Sequence, residues 1–167
     1  KFQGRNKWGF FPSAAVAWDI AAEEFMKGQN VVSQLKLRAS YGVSGNEAIS
    51  AYSTLGMLSE TIYGWGSTTG YTGYWGNTFA TPELTWEKTA SYNLALDWTM
   101  FGGRLALTAE AYTSRTTDLL LTVQVANQTG YSSHFCNLGE ISNRGLELTV
   151  DSRNIETKDF QWTTSFT

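Results

Sequence analysis

Five carboxylates invite a catalytic reading: Glu87, Asp97, Glu110, Glu147 and Asp151. Acid–base work by a carboxyl pair needs a set separation and contrasting environments. These five fall instead at alternate positions of strand-like segments, scattered among Thr, Ser and Asn, as on a wall that faces water. No enzyme is expected. His134 and Cys136 stand two residues apart and are the single His and the single Cys of the chain. A metal site wants three or four such ligands at suitable spacing, so neither a metal nor another cofactor is expected. One His also leaves Ser132 or Ser133 without a triad unless a remote base is found. The string GWGSTTG (64–70) lacks the lysine and the strand-to-helix context of a phosphate loop.

Binding chemistry is better represented. Tyr63, Trp65, Tyr71, Tyr74 and Trp75 crowd a Gly-rich segment. Flat rings stack on sugar faces, and Gly lets a backbone come close, so these five are the candidate ligand-contact residues. Lys88 and Arg115 are expected as diagonal neighbours on paired strands, where two cations suit a phosphate-bearing partner such as lipopolysaccharide. The alternative for both is simple exposure to solvent.

Composition limits what can hold these residues in place. Charged residues make up 16% and aromatics 14%, poor in charge and rich in rings against an ordinary soluble domain. The formal net charge of −3, with no basic run, argues against nucleic acid as a partner. No apolar run approaches the roughly 18 residues of a spanning helix, which leaves spanning by strands open. Cys136 alone permits no internal disulfide. No signal peptide opens the chain, so a processed start or an internal piece of a longer protein is expected.

Helical periodicity is confined to a turn or two at IAAEEFMK (20–27), whereas alternation recurs throughout. In the clearest run, Trp86, Lys88, Ala90, Tyr92, Leu94, Leu96, Trp98 and Met100 alternate with Glu87, Thr89, Ser91, Asn93, Ala95, Asp97 and Thr99. One face is apolar and the other polar. At about 3.3 Å per residue and a tilt near 40°, Trp86 and Trp98 lie about 30 Å apart along a barrel axis, one at each rim of a membrane. Trp18 is assigned to the same aromatic girdle. Phe101-Gly102-Gly103-Arg104 then signals a two-residue hairpin. A turn centred on Gly102-Gly103 pairs odd residues with even ones, and the next strand is polar at even positions (Thr108, Glu110, Tyr112, Ser114), so the polar face continues across the turn.

The spacing predicts strands over 8–18, 35–43, 86–100, 105–121, 138–152 and 160–167. Pro12 marks an irregularity or an end in the first of them. Long loops are expected over 44–85 and 124–136. Long loops on one side and shorter turns on the other match outer-membrane barrels, which puts the long ones outside the cell. The fold class is therefore all-β: an antiparallel transmembrane β-barrel segment, with 1–167 as one partial barrel domain.

WGFFPSAAVAWDI (8–20), LKLRASYGVSGN (35–46), LTWEKTASYNLALDW (84–98), RLALTAEAYTSRTTDLLL (104–121) and NLGEISNRGLELTV (137–150) resemble, in this order and spacing, consecutive C-terminal barrel strands of SusC/RagA TonB-dependent transporters. The resemblance implies a barrel of about 22 strands holding an N-terminal plug. It also implies a SusD-like surface lipoprotein as partner and energy from the TonB complex. The location it implies is the outer membrane of a Gram-negative, Bacteroidetes-like cell, in contact with lipid and lipopolysaccharide. Oligosaccharide or peptide fragments would be the substrate. Two other readings share the alternation and the rings: a soluble carbohydrate-binding β-sandwich, and a non-transporting outer-membrane barrel such as an adhesin. Six strands with open edges also lead one to expect a fragment.

Overall fold

A computed structural model describes residues 1–64, 66, 70–131 and 133–167. Among them ten strands follow one another: β1 (Ser13–Asp19), β2 (Val32–Asn46), β3 (Met57–Tyr63), β4 (Tyr71–Thr78), β5 (Glu87–Met100), β6 (Leu105–Thr117), β7 (Leu120–Gln124), β8 (Ser133–Asn137), β9 (Glu140–Glu156) and β10 (Gln161–Phe166). Six form one antiparallel sheet in the order β1-β2-β5-β6-β9-β10, while β3–β4 and β7–β8 are separate two-stranded hairpins. Two compact units result, one of residues 11–44, 89–115 and 142–167 and one of residues 1–10, 45–88 and 116–141.

In the first unit the pleat sorts the side chains by polarity. Val16 lies opposite Ala39 and Trp18 opposite Leu37. The rings of Tyr41 and Tyr92 meet at 4.8 Å between centroids on that same apolar side. The other side carries a hydrogen-bonded ladder. Arg38 grips Asp97 with two bonds, Nε to Oδ2 at 2.7 Å and Nη2 to Oδ1 at 3.1 Å, and Thr108 donates to Asp97 at 3.4 Å. Asn93 donates to Glu110. The Asp97–Thr108 contact is the odd-to-even pairing that a turn centred on Gly102-Gly103 requires. The expected two-residue hairpin is a four-residue connection between Met100 and Leu105, in which Phe101 (φ 53), Gly102 (φ 64, ψ 31) and Gly103 (φ 89) are left-handed and the Arg104 N–H donates to the Phe101 carbonyl.

No second layer lies on this sheet among the described residues. Among the described residues the buried apolar ones are Phe2, Ile49, Leu84 and Ala95, and of these only Ala95 belongs to the first unit. A sheet in water hides its apolar face against another layer. Here Leu146 is 86% exposed, Val16 67% and Leu94 51%. One layer, apolar on one side and polar on the other, is the make-up of a barrel wall, not of a sandwich.

Several expected boundaries move. The strand expected over 8–18 begins only at Ser13. Pro12 has no N–H to give and contributes its carbonyl alone, to Val43 at 2.9 Å. The strand expected over 35–43 runs from Val32 to Asn46. The one expected over 105–121 stops at Thr117, because Asp118 turns left-handed (φ 57) and β7 starts afresh at Leu120. The strand expected over 138–152 continues to Glu156 through a bulge in which Trp162 faces Ile155 while Thr163 faces Arg153. The extra residue reverses parity, so Ile155 shares a side with Trp162. Residues 20–27 form two short 3₁₀ turns, Ile20–Ala22 and Glu24–Met26.

The spans expected as loops are the largest revision, since 44–85 contains β3–β4 and 124–136 runs into β7–β8. Both hairpins belong to the second unit, which has its own core of Phe2, Ile49 and Leu84, with Trp86, Leu120 and Phe135 packed against it. Thr54, 1% exposed, belongs to the same unit, accepting from Gln3 Nε2 at 3.1 Å and donating to the Lys1 carbonyl at 2.7 Å. An isolated two-stranded ribbon is marginal in water, and β7 and β8 gain support by packing Leu120 and Phe135 on this core.

Candidate ligand-facing site and family membership

The β3–β4 hairpin displays the aromatic residues singled out in the sequence. Its register sets Tyr63 opposite Tyr71, Thr61 opposite Gly73 and Ser59 opposite Trp75. Cross-strand partners share a face, and so do positions two apart, so Tyr63, Tyr71 and Trp75 lie on one side. The Tyr63 and Tyr71 rings stand 6.2 Å apart and 37° from coplanar. Tyr63 also lies over Gly73, where an added Cβ would come within 2.8 Å of the ring. Gly is needed there because the ring takes the space of a side chain. Tyr63, Tyr71 and Trp75 are each about half exposed.

Tyr74 pairs with Glu60 on the opposite face, together with Ile62 and Leu58. The five rings therefore do not make one platform, because adjacent positions such as Tyr74 and Trp75 must point apart in a pleated strand. Trp65 lies outside the described residues.

At the foot of the hairpin Phe79 meets Tyr131 edge-on at 5.4 Å and His134 at 5.5 Å. An added Cβ on Gly76 would collide with Tyr131, so that ring packs directly on β4. Phe79, Tyr131 and His134 thus tie the second connection to the first. Their separation along the chain leaves no local pattern by which to find them. His134 takes its place here as a packed ring, and Cys136 stays a free thiol.

The three indoles proposed for a girdle have different surroundings. Trp18 Nε1 donates to Glu23 at 2.9 Å. Trp86 precedes β5, with its ring 5.3 Å from Phe2 and its N–H on the Asn6 carbonyl at 3.0 Å, so it also serves the core of the second unit. Trp98 Nε1 is buried with no acceptor among the described residues. Lys88 lies in β5 and Arg115 in β6, both exposed. Of the five carboxylates, Asp97 and Glu110 belong to the polar ladder. Glu87 does not, since its two oxygens accept from Asn46 Nδ2 and from the Leu120 N–H, each at 3.1 Å.

These elements have close counterparts. The family described as TonB dependent receptor-like, beta-barrel matches the chain over residues 1–167. TonB-dependent receptor P3 of Formosa agariphila is 41% identical over 165 residues, covering 99% of this chain and 16% of that protein. TonB-dependent receptor SusC of Bacteroides thetaiotaomicron is 35% identical over 172 residues, covering 99% and 17%. Among solved structures, that of the RagAB peptide transporter superposes with a TM-score of 0.83 at 28% identity, covering 98% of this chain and 18% of that one. The chain thus spans less than a fifth of the length of these relatives. A single-layered, two-faced sheet of long strands and a match along all its residues lead to one conclusion: the chain belongs to the TonB-dependent receptor β-barrel family, in its SusC/RagA branch.

Proposed function

We propose that this chain is part of the wall and loops of a TonB-dependent outer-membrane transporter that imports glycan or peptide fragments. The observation that carries the reading is the two-sided sheet: an open apolar face suited to lipid, and an opposite face laddered by Arg38, Asp97, Thr108, Asn93 and Glu110, suited to a wet lumen. The peptide class is supported by the likeness to the RagAB peptide transporter, while the glycan class and a SusD-like lipoprotein partner rest on the resemblance to the SusC/RagA family. Coupling to TonB would run through a plug domain elsewhere in a barrel of about 22 strands. The cell would be Gram-negative and Bacteroidetes-like, in keeping with the sources of the relatives.

Within this reading Tyr63, Tyr71 and Trp75 form the ligand-facing side of the β3–β4 hairpin, Tyr74 contributes from the other face, and Trp65 is a further ligand-contact candidate. Trp18 and Trp98 mark the membrane rim, with Trp86 divided between rim and loop core. Lys88 and Arg115 meet lipopolysaccharide phosphates. The experiment is uptake of labelled oligosaccharides and peptides by cells whose only copy of the intact transporter carries Tyr63→Ala and Trp75→Ala. Uptake of one class should fall by about tenfold or more, as removing two stacking rings implies, with normal surface levels. Undiminished uptake would remove the hairpin from the site, and uptake unaffected by deleting the whole gene would favour an adhesin.

A further inference from the structure

The roots of the two long connections are joined by two side chains that the proposed uptake does not otherwise use. Asn137, at the end of β8, accepts the Thr85 N–H on Oδ1 at 2.8 Å and returns Nδ2 to the Thr85 carbonyl at 2.9 Å. The same Nδ2 donates to the Asp118 carbonyl at 2.8 Å. An amide bonded to both the N–H and the C=O of one residue stands in for a neighbouring strand, and all its hydrogen-bonding groups are used. Glu87 completes the arrangement. Its Oε1 accepts from Asn46, where the first connection leaves, and its Oε2 from the Leu120 N–H, where the second begins.

All four roots are thereby held: Asn46 and Thr85 for the connection that carries β3–β4, Asp118 and Asn137 for the one that carries β7–β8. The contacts of Phe79 with Tyr131 and His134 tie the same two segments further along. Leu120, from the start of the second connection, packs against the small core that holds Leu84 from the end of the first.

We propose that Asn137 and Glu87 are positioning residues that lock the two connections into one body, so that the aromatic hairpin β3–β4 is held in place by the other loop. Its consequence for ligand capture rests on the function proposed above, but the coupling itself does not, and the readout below uses no ligand.

The test is hydrogen exchange, read by mass spectrometry, on the intact transporter carrying Asn137→Asp. The carboxylate still accepts from Thr85 but loses both donated bonds and sets an oxygen against two carbonyls. Peptides from 116–141 and also those from 45–88 should exchange about tenfold faster, while peptides from 89–115 and 142–167 stay unchanged. Acceleration confined to 116–141 would overturn the coupling. So would uniform acceleration along the chain, which would mean general destabilisation. Glu87→Gln, which keeps a single acceptor oxygen, is the second variant should Asn137→Asp not assemble. It should act in the same direction by about threefold on both segments, and its leaving 45–88 unchanged would equally overturn the proposal.

Discussion

Replacing Leu84 by Ala probes whether the long connections are folded structures or surface strands of chain. Leu84 is 2% exposed and packs with Phe2 and Ile49, bordered by Trp86, Leu120 and Phe135. Truncation removes three carbons, about 2.4 kcal/mol at roughly 0.8 kcal/mol each. The cavity adds less than in a large domain, since a core this small can partly close, which gives about 3 kcal/mol in all. At about 1.4 kcal/mol per tenfold, the opened state of the unit should become about a hundredfold more populated. Protease added to intact cells reads that population when opening is fast relative to cleavage. Cleavage within 45–88 and 116–141 should therefore accelerate by about that factor. Leu94→Ala is the control: Leu94 is 51% exposed on the apolar side of the sheet, and its truncation leaves no cavity. Equal cleavage of Leu84→Ala and the parent would refute the claim that this core holds the loops.

The remaining predictions concern the sheet. A double-mutant cycle with Arg38→Met and Asp97→Asn should show a coupling of about 1 kcal/mol in thermal unfolding of the intact barrel, since the pair is bidentate but partly open to water. Additive effects would mean that the ladder contributes nothing as a pair. Gly145→Ala should destabilise by about 1 kcal/mol, because its Cβ would come within 2.6 Å of the Tyr112 hydroxyl; Tyr112→Ala should abolish that penalty in the double variant. Gly102→Ala and Gly103→Ala should each cost about 1 kcal/mol by straining the positive-φ turn, seen as a lower yield of the heat-modifiable folded band.

Alternation along β2, β5, β6 and β9 was legible because a pleated strand exposes its neighbours in turn to opposite sides, so the type of each residue records the side it faces. The Gly102-Gly103 turn, the polar and apolar sides, and the odd-to-even pairing that joins Asp97 to Thr108 were all open to such local reading. The family resemblance pointed to the same fold by an independent route. What the sequence did not disclose is how the second unit is put together. Hairpins β3–β4 and β7–β8, the core of Phe2, Ile49 and Leu84, the Trp86 bond to Asn6, and the amide of Asn137 on Thr85 all join residues far apart in the chain. Such contacts impose no period on the sequence, and one Asn or Glu among many polar loop residues carries no mark of its partner. Two-residue periodicity therefore determined the wall and its faces, and only the tertiary structure decided that the loops form a body of their own, because that depends on packing among segments the pleat does not link.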